Sequence, residues 1–410
     1  MSRDVPEGWR KEALSELASY INGRAFKPTD WSSHGLPIIR IANMTSPEAE
    51  FNSYPGDDLD EGHLVNDGDI LFSWSATLSI MKWCRGPGIL NQHIFKVVPA
   101  EFVHPDWLLY VLQHEVEDLA GQSHGSTMKH IKKGVLKTHL VGLPPFHEQR
   151  RIAEILSSVD DAIDATRAVI EQTIKVKQGV LERLLTKGIG HTRFAQTEIG
   201  EIPEGWELHI LDDLTPGDRR ITYGIVQAGR DCPGGVPYIR VSDMGTRDVD
   251  EATVMRTSPE IANGYRRSEL RAGDLIFALR GKVGHVLKTP PSLDGGNLTQ
   301  GTARIACGKR VLEDFLLWAL RAPQSLKQYN REVKGSTFQE LTLGSLKKIK
   351  VVVPSIDEQR TIAFRMNDLD TALKITEAEL ASLRAVKDRL MSDLLTGRKR
   401  VTDPLPMAAE

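Results

Sequence analysis

The pattern of apolar and polar positions predicts two similar sets of short strands, each followed by one long helix. Two shorter helices are predicted over 105–119 and 312–321, the first with a proline in its first turn. Strands are predicted where short, β-branched runs are bounded by Gly, Pro or Asp: 36–42, 69–75, 94–98 and 139–143 in the first half, and 236–242, 274–279, 303–306 and 348–353 in the second.

A heptad pattern follows the prolines at 145 and 354. Its apolar positions are Ile152, Leu156, Val159 and Ile163 in the first helix, and Ile362, Met366, Leu369, Leu373, Leu380 and Leu383 in the second. Thr166, Thr173 and Lys177 interrupt the first series. A helix of about 40 residues is roughly 60 Å long, too long to lie on one small globule. The two helices are therefore predicted to pack together as an antiparallel coiled coil, which would hold the two globular parts apart.

The chain also contains an internal repeat, because short motifs recur in the same order in both halves. Pro6–Trp9 returns as Pro203–Trp206, and Glu148-Gln149-Arg150 returns as Glu358-Gln359-Arg360. Between these motifs lie paired Gly-Asp strand starts and Gly-Ser-Thr elements, and Leu-Leu-Thr follows at the helix ends. The predicted fold class is α+β, with two mixed domains in tandem. Its segments are 1–145 and 191–355 (globular), 146–190 and 356–400 (helical), and 401–410 (a flexible tail).

Composition narrows the functional classes. The 410 residues include 52 basic and 55 acidic side chains, so a surface for nucleic acid requires local clusters of basic residues. Three scattered cysteines without a C-x-x-C pair exclude a disulfide scaffold and suit a reducing cytoplasm. No apolar run approaches 18 residues and no signal peptide is evident, so no membrane association is expected.

Catalytic signatures are missing from the sequence. There is no phosphate-binding P-loop and no dinucleotide fingerprint, and Leu143 precedes Pro144-Pro145 where an amino-methyltransferase loop needs Asn, Asp or Ser. The scattered histidines predict no metal site. Two alternatives to a recognition subunit stay open: a stand-alone metal-dependent nuclease acting through Glu332 and Lys334, and a coiled-coil scaffold that does not bind DNA.

Two loops in each half carry the candidate DNA contacts, and basic residues cluster around them. Arg280 suits guanine and Gln339 suits adenine, while Gly-Ser-Thr is equally interpretable as a helix cap. The full set of predicted contacts is Ser73, Ser75, Ser126, Thr127, Lys129, Lys132, Lys133, Arg280, Lys282, Ser336, Thr337 and Gln339.

Taken together, the duplicated motifs resemble the specificity subunit of type I restriction–modification systems over nearly the whole chain. The resemblance implies that each globular part reads one half of a split double-stranded DNA target. It further implies that the helices set the spacing and dock two methyltransferase subunits, with restriction subunits completing the complex. S-adenosylmethionine, ATP and Mg²⁺ would be bound by those partners, so this chain is expected to be non-catalytic and to hold no cofactor.

Overall fold

The computed structural model describes residues 5–56, 60–121, 131–335 and 339–401. The chain divides into two compact units. Unit 1 comprises Met1–Arg167 with Ala378–Glu410, and unit 2 comprises Ala168–Glu377. Each unit therefore contains one globular part and one half of each long helix, whereas the sequence predicted separate globular and helical segments.

Unit 1 is built from ten strands and short helices around the start of the first long helix. Its strands are β1 Arg10–Ala13, β2 Ala18–Asn22, β3 Leu36–Ile39, β4 Asn52–Tyr54, β5 Leu64–Val65, β6 Ile70–Ser73, β7 Ser79–Lys82, β8 Gly88–Leu90, β9 Ile94–Pro99 and β10 Leu140–Leu143. Its helices are α1 Leu14–Leu17, α2 Ile41–Thr45, α3 Pro105–Gly121, α4 Lys133–Thr138 and the first part of α5 Phe146–Thr186, and residues 378–395 of the second long helix belong to it as well.

Unit 2 repeats this plan. Its strands are β11 Phe194–Thr197, β12 Gly200–Pro203, β13 Glu207–Ile210, β14 Thr222–Tyr223, β15 Val236–Ile239, β16 Met255–Thr257, β17 Leu275–Ala278, β18 Val286–Lys288, β19 Asn297–Leu298, β20 Thr302–Ile305 and β21 Lys350–Val353. Its helices are the last part of α5, α6 Pro259–Gly264, α7 Glu313–Arg321, α8 Pro323–Glu332, α9 Leu343–Lys347 and the first part of α10 Ile356–Leu395.

The sheets show that the repeat in sequence is a repeat in topology. Unit 1 has an antiparallel sheet β2-β9-β6-β7, a sheet β4-β3-β8-β5 in which β3 and β8 are parallel, and the pair β1-β10. Unit 2 has the matching sheets β14-β20-β17-β18 and β16-β15-β19, with β15 and β19 parallel, and the pair β13-β21. Among the described residues, the strand β5 is found only in unit 1 and the hairpin β11-β12 only in unit 2. The α+β tandem is thus confirmed.

Two predicted strands end earlier than their apolar pattern suggested. The runs 36–42 and 236–242 leave the sheet at Ile39 and Ile239, and the helix α2 and a 3-10 turn over Val241–Asp243 follow. The reason is a side-chain cap: the Arg40 N–H donates to Asn43 Oδ1 at 3.0 Å, and the Arg240 N–H donates to Asp243 Oδ2 at 2.8 Å. A cap of this kind competes with strand propensity and starts a helical turn.

The long helices bury the stripe that the heptads predicted. Ile152, Leu156 and Ile163 are buried on α5, and Ile362, Met366, Leu373 and Leu380 are buried on α10. Val159, Leu369 and Leu383 are half-buried on the same stripe. No helix in the described part of the chain is both long and apolar enough to cross a membrane.

Two lysines on the stripe form ion pairs with aspartates: the interrupting Lys177 and its counterpart Lys387. In unit 1, Lys387 Nζ lies 2.6 Å from Asp160 Oδ1, and the Tyr110 hydroxyl donates to the same carboxylate at 2.8 Å. In unit 2, Lys177 pairs with Asp370 and lies over the Trp318 ring at 4.8 Å. The lysines therefore occupy equivalent positions with equivalent partners, and they belong to the packing rather than interrupting it.

Candidate nucleic-acid interface

The Pro-Glu-Gly-Trp and Glu-Gln-Arg motifs meet in each unit, in what we call the tryptophan–glutamate contact. Trp9 Nε1 donates to Glu148 Oε2 at 3.0 Å, and Trp206 Nε1 donates to Glu358 Oε2 at 3.0 Å. Residues that follow the other long helix complete each contact. Arg400 donates to both oxygens of Glu148 at 2.8 and 2.9 Å, and His191 Nε2 lies 3.0 Å from both oxygens of Glu358.

The electrostatics of this contact favour an ionised Glu148. Burial acts to raise the pKa of its carboxyl, but Arg400, the Trp9 indole and the Val401 N–H outweigh burial and lower that pKa. The sequence placed Val401 in the flexible tail, but its N–H donates to Glu148 Oε1 at 3.4 Å. The rest of that predicted tail lies outside the described residues.

The neighbouring glutamines fasten each long helix to its globular part. The His104 N–H donates to Gln149 Oε1 at 2.8 Å, and the Leu312 N–H donates to Gln359 Oε1 at 2.9 Å. Each Nε2 in turn donates to the carbonyl of Pro144 or Pro354, at 3.0 and 2.9 Å. Both side chains are almost fully buried, so the glutamines of this repeated motif serve the architecture and are not available to contact DNA.

A second duplicated arrangement, which we call the turn frame, surrounds residues 91–93 and 299–301. The Gln92 and Gln300 N–H groups donate to the carbonyls of Arg24 and Ile225 at 2.7 and 3.0 Å. The preceding N–H groups, of Asn91 and Thr299, both donate to the last residue of a central strand at 3.1 Å. On the other side, the Trp74 and Leu279 N–H groups donate to the carbonyls of residues 93 and 301 at 3.1 and 2.8 Å.

Glycines at 23 and 224 make the turn frame possible. A Cβ on Gly23 would lie 2.1 Å from the Asn91 carbonyl oxygen, and one on Gly224 would lie 2.0 Å from the Leu298 carbonyl oxygen. No side chain fits such a close backbone approach. The turn frame therefore fixes the backbone equally in both units and leaves the surrounding side chains to differ.

In unit 2 the structure brings the two predicted loops together beside the turn frame. The Gly281 N–H donates to the Gln339 carbonyl at 3.3 Å, and the Leu341 N–H donates to the Leu279 carbonyl at 2.8 Å. Arg280 is exposed, and its Nε and Nη2 donate to Glu340 Oε1 at 2.9 and 2.8 Å. Lys282 and Gln339 are exposed too, and Lys282 Nζ donates to the Met244 carbonyl at 3.0 Å.

In unit 1 the candidates are less uniform. Lys132 and Lys133 are exposed at the start of α4, and Ser75 is half-buried. Ser73 is fully buried, and its hydroxyl donates to the Thr77 carbonyl at 2.6 Å and accepts from the Ser79 N–H at 2.8 Å. A side chain so enclosed cannot reach a base, so the prediction that Ser73 contacts DNA is wrong. Ser126, Thr127, Lys129, Ser336 and Thr337 lie outside the described residues.

The two residues of the nuclease alternative, Glu332 and Lys334, form hydrogen bonds with different partners. Glu332 Oε2 accepts from the Ser345 hydroxyl at 2.9 Å, and the Lys334 N–H donates to the Glu340 carbonyl at 3.0 Å. Across the ranges given above for the structure, no three His, Cys, Asp or Glu side chains are grouped as metal ligands.

Comparison with known proteins assigns the family. Residues 6–175 and 203–385 match the family described as the type I restriction modification DNA specificity domain, and the chain belongs to that family. It is 27 % identical to the type I restriction enzyme EcoBI specificity subunit of Escherichia coli over 95 % of this chain and 85 % of that one. It is also 27 % identical to the MjaVIII specificity subunit of Methanocaldococcus jannaschii, over 97 % of this chain and 94 % of that one.

A solved relative supports the fold. The crystal structure of the type I restriction–modification S subunit from M. genitalium has a TM-score of 0.58 and 15 % identity, covering 96 % of this chain and 97 % of that one. The chain is therefore a specificity subunit that recognises DNA, and as in its relatives it is a non-catalytic component. Nothing favours the nuclease alternative.

Sequence reasoning missed two groups at this surface. Glu340, which orients Arg280, gave no signal because its partner lies 60 positions away. Gln92 and Gln300 did carry a signal, because both precede equivalent strands at the spacing of the repeat. That signal was missed because it is a single matching residue, whereas the repeat was recognised from longer matching motifs.

Proposed function

We propose that each globular part reads one half of a bipartite DNA target, using the side chains around its turn frame. In unit 1 these are Ser75, Lys132 and Lys133, and in unit 2 they are Arg280, Lys282 and Gln339. The supporting observation is that one backbone arrangement occurs twice with different side chains around it. Two readers of different half-sites need the same scaffold and different base contacts.

An exchange of globular parts tests this proposal. Residues 202–355 are replaced by those of a relative, and methylated positions are mapped in cells that carry the chain with its methyltransferase subunits. One half of the methylated sequence should change while the other half stays. The matched control replaces residues 10–143 instead and should change the opposite half. A change in both halves after either exchange would contradict separate readers.

We also propose that the long helices form an antiparallel coiled coil that sets the distance between the half-sites. The order of contacts supports it: in unit 1, Asp160 pairs with Lys387 while the earlier Glu148 pairs with the later Arg400. In unit 2 the same reversal holds, since Lys177 pairs with Asp370 and His191 with Glu358. Two methyltransferase subunits would dock on these helices and restriction subunits would join them, with S-adenosylmethionine, ATP and Mg²⁺ on the partners in the cytoplasm.

Helix length gives a direct test of the spacer. One heptad inserted after Ile170 and one after Leu380 keeps every apolar residue on the stripe and lengthens each helix by about 10 Å. At about 3.4 Å per base pair, the preferred spacing between the half-sites should increase by about three base pairs, while the sequence of each half-site stays the same. A folded variant that prefers the original spacing would contradict the role of the helices as spacer.

A further inference from the structure

At its tip the turn frame carries the same polar side chain in both units. Around it Arg24 corresponds to Ile225, His93 to Gly301 and Ser75 to Arg280, but glutamine occupies both tips. Gln92 is exposed and Gln300 is half-buried. Two readers with different targets thus share one polar residue at the centre of surfaces that otherwise differ.

Nothing in the fold accounts for this glutamine. Within the four described ranges neither carboxamide makes a hydrogen bond to protein, although both backbone N–H groups do. The turn itself does not call for glutamine, since Gly, Pro, Asn, Asp and Ser are the residues that tight turns favour. By contrast, Arg40 and Arg240, which also match between the units, bind backbone carbonyls of their own domains, those of Glu50 and Thr253.

We propose that Gln92 and Gln300 make the same base contact in the two half-sites, each pairing with an adenine in the major groove. A carboxamide matches adenine bidentately, accepting from N6 and donating to N7. The turn frame supports such a contact because backbone hydrogen bonds on both sides fix the Cα from which each side chain extends. This inference rests on the proposed function, because it assigns a base to surfaces that are themselves proposed to read DNA.

The test uses the purified complex of the whole chain with its methyltransferase subunits. Its target is first read from methylated positions in cells, and binding is then measured to duplexes that carry every single base-pair substitution. Gln92→Ala should abolish discrimination at one A·T pair of one half-site, where the unchanged complex loses about 10- to 100-fold in affinity on substitution. Gln300→Ala should do the same at one A·T pair of the other half-site.

A charge variant sharpens the assignment. Gln300→Glu keeps the acceptor and removes the donor, so preference at that pair should shift from adenine toward cytosine, whose N4 donates. Gln196→Ala, which alters an exposed glutamine on β11, is the matched control and should leave every preference unchanged. Melting temperatures of all variants establish that they are folded.

Each remaining outcome is decisive. Uniform weakening on all duplexes with discrimination kept would assign the glutamines to phosphates and overturn the proposal. Unchanged binding, or abolished discrimination at a G·C pair, would overturn it as well. If the unchanged complex itself shows no base preference, the proposed function fails, and that result is distinct from failure of the glutamine variants alone.

Discussion

The two units differ most where they are exposed and least where their motifs meet. Both carry the tryptophan–glutamate contact, the buried glutamine and the turn frame with nearly equal distances. Around the turn frame, however, unit 1 has the half-buried Ser75 where unit 2 has the exposed Arg280. The residues that hold each unit together are thus separate from those proposed to read DNA, so that one set can change without the other.

The largest expected effect comes from breaking the helix stripe, which both units need. Leu380→Asp places an unpaired charge at a position only 9 % exposed, and should cost about 4 kcal/mol or more of folding free energy. The equivalent change in the first helix, Ile170→Asp, lies at a half-buried position and should cost less than half as much. Urea unfolding of the two variants measures the difference, and equal losses of stability would contradict it.

Acid should weaken unit 1 more than unit 2. Burial acts to raise the pKa of Glu115, but its hydrogen bonds and charge interactions with His114 and His139 outweigh burial and hold that pKa at about 2. A lowered carboxyl pKa stabilises the folded state fully above the usual value of 4.5, and this stabilisation disappears as pH falls from there toward 2. Its full size is about 3 kcal/mol.

In unit 2, Pro323 occupies the position of Glu115 and Ile349 occupies the position of His139, and neither side chain titrates. Hydrogen exchange in α3 and α7, corrected for intrinsic rates, should show opening of α3 becoming easier by about 2 kcal/mol between pH 6 and pH 3. Glu115→Gln should remove most of that dependence. An equal acid response of α3 in this variant would show that other carboxylates are responsible.

The tryptophan–glutamate contacts should differ in strength because a guanidinium contacts Glu148 and an imidazole contacts Glu358. Glu148→Gln leaves the Arg400 guanidinium without its countercharge, and should cost about 2 kcal/mol. Glu358 accepts from Trp206 and the Ile189 N–H and contacts an imidazole rather than a guanidinium, so Glu358→Gln should cost less, about 1 kcal/mol. Thermal unfolding of both variants is the measurement, and a larger destabilisation by Glu358→Gln would reverse the comparison.

Substitution of Arg280 in unit 2 should reduce base discrimination more than substitution of the equivalent Ser75 in unit 1. Arg280→Ala should reduce discrimination at one G·C pair about tenfold, because a guanidinium suits guanine O6 and N7. Glu340→Ala should give a smaller reduction, since Arg280 remains but its orientation is no longer held. Ser75→Ala in unit 1 is the comparison and should change discrimination least. Competition binding with substituted duplexes measures all three.

The smallest effect concerns affinity without specificity. Replacing Lys132 and Lys133 by Ala should weaken binding to every sequence alike, because a phosphate has the same charge at every base pair. The slope of log affinity against log salt concentration should fall by about 0.9 for each phosphate that is no longer neutralised. Titrations across salt concentrations provide the slope. Weaker binding confined to the cognate sequence would instead make these lysines base readers.

Much of this architecture was predictable because its determinants are local or periodic. The heptads of α5 and α10 follow from residue spacing alone, and the tandem repeat follows from motifs such as Pro-Glu-Gly-Trp. The contact between Trp9 and Glu148 was not predictable, because 139 positions separate the two residues and neither sequence neighbourhood indicates the other. The burial of Ser73 was missed because a loop serine looks exposed until its hydroxyl is seen to bind Thr77 and Ser79.

The tryptophan–glutamate contact has a consequence for chain connectivity. His191 follows the first long helix and binds the glutamate that begins the second, while Arg400 follows the second and binds the glutamate that begins the first. Arg400 also donates to the Glu7 carbonyl at 2.7 Å, which places residues 397–401 beside residues 5–9. Residues 397–401 thus stand to Glu148 as the segment after the first long helix stands to Glu358. A permuted chain that begins within residues 187–203 and joins residue 401 to residue 5 should therefore keep both tryptophan–glutamate contacts.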